Sequence, residues 1–488
     1  MVRMTMAGAA VAVLAGAALG QDGDGQALRA LLITGENNHN WRYTSRYHKD
    51  TLEETRRFVV DIADDPAAAL ADADALQKYA VIVLDYNGKP WGEAAQKNFV
   101  QYVDGGKGVV VIHAANNAFK GWAEYEAICG LLWRDGAGHG PFHEFDVRYV
   151  ASAGGGGGGV GGLHPIVKGL PGMKSHPDEL YHGLSNPQNV KFEVLAVADS
   201  PQEKGGSGRE EPMAIVLSYG KGRVFHTPLG HVWEKQDAQK RSIADPQFKL
   251  LLARGAQWAA TGEVSIGTEW QDRRGHNTLT SAERAEGWEL LFDGQSTPSF
   301  RGFKQKGFPA KGWVVEGGTL RVMKGGGGGD IVTLEQYGDF EFACEWKAAP
   351  KANSGIIYRS TEDGGATWSK GPEMQILDNA GHGDGVEPRT SAGALYGLVA
   401  AQHDVVRPAG EWNSVRIVAK GNRIEHWANG WKVAECEVGG AAWEALIKGT
   451  KFEKMEGFGR EPKGHIALQE HGDDVWFRNI KVRRFGSK

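Results

Sequence analysis

Side chains able to act as acid, base or metal ligand fall at the ends of apolar runs in the first half of the chain. Asn38 and His39 follow ALRALLIT, Asp85 follows YAVIVL, His113 follows GVVVI, and His231 closes RVFHTPLGH. Glu179 lies in SHPDELYHG, among His176, Asp178 and His182. In an open parallel sheet, ligands bind beyond the carboxyl ends of the strands, so these groups are expected to face one cleft. Imidazoles with carboxylates nearby either hold a first-row divalent metal ion or act as acid and base. No tight ligand spacing such as HExxH is present, so both chemistries stay open, and a divalent ion is the one cofactor considered.

The second half offers a different set. In EMQIL, strand alternation puts Glu373 and Gln375 on one face; in IALQEHG, Gln469 and His471 share a face. A row of polar groups on otherwise apolar strands is a poor core and a good sugar-binding surface, above all with Trp and Tyr interleaved. Glu373 and Asp378 also form a possible carboxylate pair for direct glycoside hydrolysis.

The elements that must position these groups can be read from periodicity. From Leu28 to about Gly262, short apolar runs alternate with helix-like stretches, among them EAAQKNFVQYVDGG, which predicts parallel strands with crossovers. Residues 263–285 turn polar and charged. After Gly287 come short alternating runs with NG and GN turns, the pattern of an antiparallel sandwich. The expected division is residues 21–265, a linker at 266–285, and residues 286–488. The glycine runs 154–159 and 325–329 read as flexible loop insertions, with no phosphate-binding spacing.

With 488 residues, several domains are expected. A net charge of −5 leaves no basic stripe for phosphates, which argues against a nucleic-acid partner. Met1–Gly20 has a basic start, an apolar run and small residues before Gln21, the pattern of a removed signal peptide. The expected location is therefore periplasmic or secreted, with no membrane span in the mature chain. Of three cysteines, only Cys344 and Cys436 share a domain, and no bridge is expected between them.

Two resemblances sharpen this reading. DGGKGVVVIHAANNAFKGWAEYEAICG, LHPIVKGL, DELYHGL and YGKGRVFHTPLGH resemble the ThuA-like trehalose-utilisation family, over nearly all of residues 28–262. That resemblance implies a glutamine amidotransferase-like α/β fold and action on sugars. Where amidotransferases carry a Cys nucleophile, His113 stands here, and Cys129 sits in an apolar helical context; thiolate chemistry is not expected. GWELLFDG, NSGIIYR, GPEMQILDN, AGALYGL, EWNSVRI and IALQEHG resemble the 3-keto-disaccharide hydrolase family, over about residues 286–484. It implies a concanavalin-like jelly roll with a site built from Arg359, Glu373, Gln375, Asp378, His382, Tyr396, Gln469 and His471.

The chemistry implied is cleavage of a 3-keto-glycoside. A ketone at C3 acidifies the C2 hydrogen; a base removes it, the C1 substituent is eliminated, and water adds back. Such a route needs a base, a group for the enolate oxygen and an acid for the leaving oxygen. Glu373, Arg359 and His471 are of the right types, and His113 offers a further base in the first domain. The alternative is a carbohydrate-binding second domain that serves a sugar-processing first domain.

Overall fold

The structure, a computed structural model, describes residues 27–151 and 162–486. The export segment read at Met1–Gly20 and the glycine run 154–159 lie outside them. The first domain is built on a nine-stranded sheet in the order Phe58–Ala63, Leu28–Ile33, Val81–Leu84, Gly108–Ile112, Gly222–Thr227, Arg209–Tyr219, Phe192–Ser200, His143–Tyr149 and Met173–Asp178. The first five run parallel. Each residue of Val81–Leu84 and Gly108–Ile112 is buried, as strands covered on both faces must be. Val81, Val83, Val110 and Ile112 meet the helices Trp41–Glu54 and Pro246–Thr261 on one side. Ile82, Leu84, Val109 and Val111 meet the helix Glu93–Asp104 on the other.

The remaining four strands pair antiparallel. The sheet is therefore mixed, which corrects the parallel sheet expected from the crossover pattern. Only Gly220 and Lys221 separate Arg209–Tyr219 from Gly222–Thr227, and so short a turn can only reverse the chain. Gly220 takes φ of 56° there, with Asp104 packed where a Cβ would stand.

The second domain is a sandwich of two antiparallel sheets. One runs Trp313–Glu316, Thr319–Val322, Val475–Arg484, Phe340–Ala348, Asn413–Lys420, Arg423–Ala428, Trp431–Glu437; the other runs Phe300–Gly302, Ile331–Thr333, His465–Leu468, Asn353–Ser360, Glu373–Leu377. One apolar core, including Phe342, Ile356, Met374, Ile417, Ile466 and Phe477, joins them. The expected NG turn is present: Asn429 and Gly430, at φ of 45° and 84°, reverse the chain between two strands. All three cysteines are free, and two strands separate those carrying Cys344 and Cys436.

The expected linker is strapped down to both domains. Asn277 and Asn479 exchange backbone-to-side-chain hydrogen bonds of 2.6 and 2.8 Å. Arg274 pairs with Glu54 of the first domain, and Asp272 with Arg478 of the second. The domains also meet directly along the helix Trp41–Glu54. Tyr47 donates to Glu411 at 2.8 Å, Asp50 pairs with Arg407, and the Trp431 indole donates to the Arg42 carbonyl at 2.8 Å. Asp404 of the second domain takes hydrogen bonds from the Lys240 ammonium (2.6 Å) and the Lys235 amide (2.7 Å). Its carbonyl takes another from Asn40 at 2.7 Å. Among the described residues, no helix is long and apolar enough to cross a membrane.

Candidate functional site

Four of the first-domain groups named from sequence come together. His113 opens a turn directly after the strand Gly108–Ile112, in the left-handed region at φ of 46°, a strained conformation for a non-glycine residue. Its Nε2 lies 3.2 Å from Nε2 of His39 and 3.2 Å from Nδ1 of His231, and the last two are 3.1 Å apart. Burial is the main reason that all three imidazoles are pushed down to about 3, so they are neutral at pH 7. Glu179 places a carboxylate oxygen 3.0 Å from His231 and 3.4 Å from His139. Its pKa rises to about 8, through burial first and the neighbouring Asp178 second.

The surroundings orient this cluster. His113 Nδ1 lies 2.6 Å from the Pro228 carbonyl, which can only accept, so Nδ1 carries the proton and donates. The Asn37 amide donates to Asp85 at 3.3 Å, which turns its oxygen toward His39 Nδ1 at 3.2 Å. Asp85 therefore stands one residue behind the cluster, held by a 2.6 Å bond from Thr44. Below lies Asp178, accepting from the Gly230 amide (2.7 Å), the His231 amide (3.2 Å) and Ser242 (2.7 Å). Burial alone would raise that carboxyl, but the hydrogen bond and charge of His176, the charge of His113 and the bond from Ser242 together outweigh it and hold Asp178 down to about 2. Asn38 takes no part: it is exposed, and its oxygen accepts from Asn87. Tyr181, whose hydroxyl is 2.9 Å from His113 Nε2, and Trp233, stacked 4.4 Å from His39, were not singled out from sequence. Tyr181 follows no parallel strand, and Trp233 lies two residues past His231, beyond the stretch read at that strand end.

The second domain carries a cavity of about 240 Å³, lined by Glu373, Gln375, Tyr396, Gln469 and His471 as expected, together with Asn353, Trp368, Asp384 and Lys451. Glu373 and Gln375 reach it from one face of the strand Glu373–Leu377, beside Asn353–Ser360. An added Cβ at Gly355 would fall 2.1 Å from Glu373 Oε1, so the glycine leaves the space that the carboxyl fills. Desolvation pushes Glu373 up to about 8; Lys451 opposes that rise and Asp330 adds to it. Both polar atoms of the Gln375 amide, and Oδ1 of Asn353, are buried with no hydrogen-bond partner among the described residues. Native proteins rarely leave such groups unmatched. Trp368, 40% exposed, stands at the rim.

Asp330 ties this wall together, accepting from the Glu470 amide at 2.9 Å and from the Thr367 hydroxyl. The glycine run before it is no idle insertion. Gly325 donates to the Gly472 carbonyl at 3.0 Å and Gly329 to the Glu470 carboxylate at 3.2 Å, so the run supports the loop that carries His471.

Three residues expected in this site lie outside the cavity lining. A register shift between Ile357 and Ser360, with Arg359 at φ of 51°, breaks the strand's alternation. The Arg359 guanidinium donates instead to the carbonyls of Gly338 and Gly421. Asp378 accepts from the Lys351 amide at 2.7 Å and closes a turn. His382 caps the turn Gly383–Val386, accepting from the Asp384 amide at 3.1 Å.

Comparison with known proteins gives two matches in chain order. Residues 29–259 match the trehalose utilisation (ThuA) family, and residues 287–483 match the 3-keto-alpha-glucoside-1,2-lyase-like domain family. A curated 3-keto-disaccharide hydrolase of Bacteroides thetaiotaomicron is 28% identical over 277 residues, 48% of this chain and 95% of that protein. A crystal structure from Parabacteroides merdae, described as ThuA-like, is 36% identical, covering 50% of this chain and 93% of that one, with a TM-score of 0.43. One from Parabacteroides distasonis, described provisionally as a glycosyl hydrolase, is 31% identical over 43% of this chain and 100% of that one, with a TM-score of 0.41.

Proposed function

Because the chain belongs to the trehalose-utilisation family over its first domain and to the 3-keto-alpha-glucoside-1,2-lyase-like family over its second, we propose that it cleaves 3-keto-glycosides or 3-keto-disaccharides in the second-domain cavity. The observation that carries this reading is the set of unmatched buried amide atoms on Gln375 and Asn353 beside the Glu373 carboxyl. A sugar supplies hydroxyls for the amides, and its acidified C2 hydrogen suits a desolvated carboxylate base.

The steps follow from the groups present. Glu373 takes the C2 proton, and the electron pair moves onto the C3 oxygen as an enolate. Lys451 is the cation lining the cavity and takes the enolate role first assigned to Arg359. The enolate collapses with loss of the C1 oxygen, which receives a proton from His471. Water then adds at C1 and a proton returns to C2, giving the free 3-keto sugar and the released alcohol. Gln375, Gln469 and Asn353 hold the ring, with Trp368 and Tyr396 offering flat faces. The first domain acts on the same sugar or on its product. Export belongs to the same proposal, with a mature amino terminus at or near Gln21.

The runner-up is direct hydrolysis by two carboxylates, for which Asp384 is the second acid on the cavity wall. Turnover in heavy water separates the two. Elimination and rehydration place solvent deuterium at C2 of the released keto sugar, above the level in a control of keto sugar without enzyme. Quantitative retention of the C2 hydrogen, or equal cleavage of the unoxidised glycoside, ends the elimination reading.

A further inference from the structure

We propose that His39, His113 and His231 form the binding site of one first-row divalent metal ion, open to adjacent carbonyl and hydroxyl oxygens of a sugar. The three nitrogens form a nearly equilateral triangle with sides of 3.1, 3.2 and 3.2 Å, and all three residues are buried. An ion about 2.05 Å from each nitrogen stands a little under 1 Å above their plane, with N–metal–N angles of about 100°. That geometry serves three ligands of a tetrahedral site or one face of an octahedral site.

The proton inventory points the same way. His113 Nδ1 donates to the Pro228 carbonyl and His39 Nδ1 to the Asn37 oxygen, so both Nε2 atoms present lone pairs toward each other at 3.2 Å. His231 Nδ1, the third corner of the triangle, faces both at 3.1 and 3.2 Å, and the Tyr181 hydroxyl lies 2.9 Å from His113 Nε2. A cation at the centre accepts all three lone pairs. A carbonyl or side-chain oxygen behind each ligating imidazole, fixing its tautomer, is how proteins usually prepare histidine for a metal. Asn37 and, behind it, Asp85 do this for His39; the Pro228 carbonyl does it for His113.

The groups that border the triangle decide the ligand. Glu179 and Tyr181 border the cluster. Trp233, 37% exposed, stacks on His39 and covers it with a flat apolar face. Imidazole-bound ions of this class take oxygen donors at their remaining positions, and an aromatic face suits a sugar ring. The assignment of the oxygen ligand as an oxidised sugar rests on the reading of the second domain; the metal site itself does not.

The test uses the full chain. Protein stripped with chelator and dialysed is titrated with Co²⁺, Zn²⁺ and Mn²⁺ by calorimetry, and Co²⁺ loading is followed by visible absorption. One ion per chain is expected, with Co²⁺ bands that shift when a 3-keto sugar is added. His113→Ala and His39→Ala should each weaken binding by more than about 100-fold, and Asn37→Ala by roughly 10- to 100-fold. Should the histidine variants fail to fold, pulsed EPR of the Cu²⁺-loaded unaltered protein counts the coordinated imidazoles, and three are expected. No binding at micromolar metal, fewer than three imidazoles, or folded histidine variants that bind as the parent does would overturn the site. Metal binding with Co²⁺ bands indifferent to the sugar removes the ligand assignment and leaves the metal site standing. Loss of 3-keto-glycoside cleavage on Glu373→Gln with metal binding intact keeps the two readings distinguishable.

Discussion

At the scale of single residues, Glu373 is the group whose environment departs furthest from its ordinary behaviour in the second-domain cavity. As the proton acceptor it works only when ionised, and its carboxyl is pushed up to about 8. The limb of the kcat/KM profile set by Glu373 should therefore rise tenfold per pH unit up to about 8. A rate that does not rise toward pH 8 would count against Glu373 as the base. Glu373→Gln should abolish turnover with sugar binding retained, and Gly355→Ala should cut it sharply, since the new methyl displaces the carboxyl. Fluorescence titration with a 3-keto sugar and circular dichroism separate these losses from unfolding. Period-two alternation put Glu373 and Gln375 on one face and Gln469 and His471 on another, and all four line the cavity. Arg359 was misplaced because a bulge with positive φ is invisible to alternation. Lys451 was missed because it belongs to a short turn, Lys451–Lys454, with no strand pattern to follow.

Among the elements, the strand Met173–Asp178 and the helix Pro246–Thr261 meet through a buried ionic bridge. His176 lies 3.3 Å from Asp178 and 2.8 Å from Asp245, whose side chain also caps the helix by accepting from the Gln247 amide. Phe145 and Phe248 pack against the ring. Burial opposes the charge on His176, but the two carboxylates overcome it and raise the pKa to about 9. A raised histidine contributes stability that is full below its unfolded pKa, near 6.5, and is lost as pH rises through the folded value. The first domain should therefore lose up to about 3 kcal/mol between roughly pH 6.5 and 9.5. His176→Gln should flatten that dependence. Urea denaturation at several pH values, with each domain's tryptophans followed, checks both. The sequence grouped His176 with Asp178 but gave no sign of Asp245. The antiparallel half of the sheet, which includes Met173–Asp178, carries a mixed polar pattern in MKSHPD and HEFDVRY, whereas the apolar runs of Val81–Leu84 and Gly108–Ile112 announced themselves.

Over the whole molecule, the two domains are not independent of each other. Asp404 reaches from the second domain to Lys240, whose side chain is 1% exposed, and to the amide of Lys235, four residues past His231. Asn40, next to His39, donates to the same residue. One second-domain aspartate thus touches the loops that carry two of the three clustered histidines, His39 and His231. Asp404→Ala strands a buried ammonium with only Asp237 as its remaining carboxylate. It should cost about 3 kcal/mol, read as a lower urea midpoint. Metal or sugar binding at the histidine cluster, measured by calorimetry, should weaken with it. Unchanged stability and binding would show that the two domains do not support one another.

The same pair constrains the order in which the chain can finish folding. Lys240 precedes its partner Asp404 by 164 residues. At about 5–20 residues per second, a ribosome needs roughly ten to thirty seconds to cover that stretch. Throughout that interval the first domain has all its strands but an ammonium awaiting its distant carboxylate. Completion of the first domain is therefore timed by synthesis of the second.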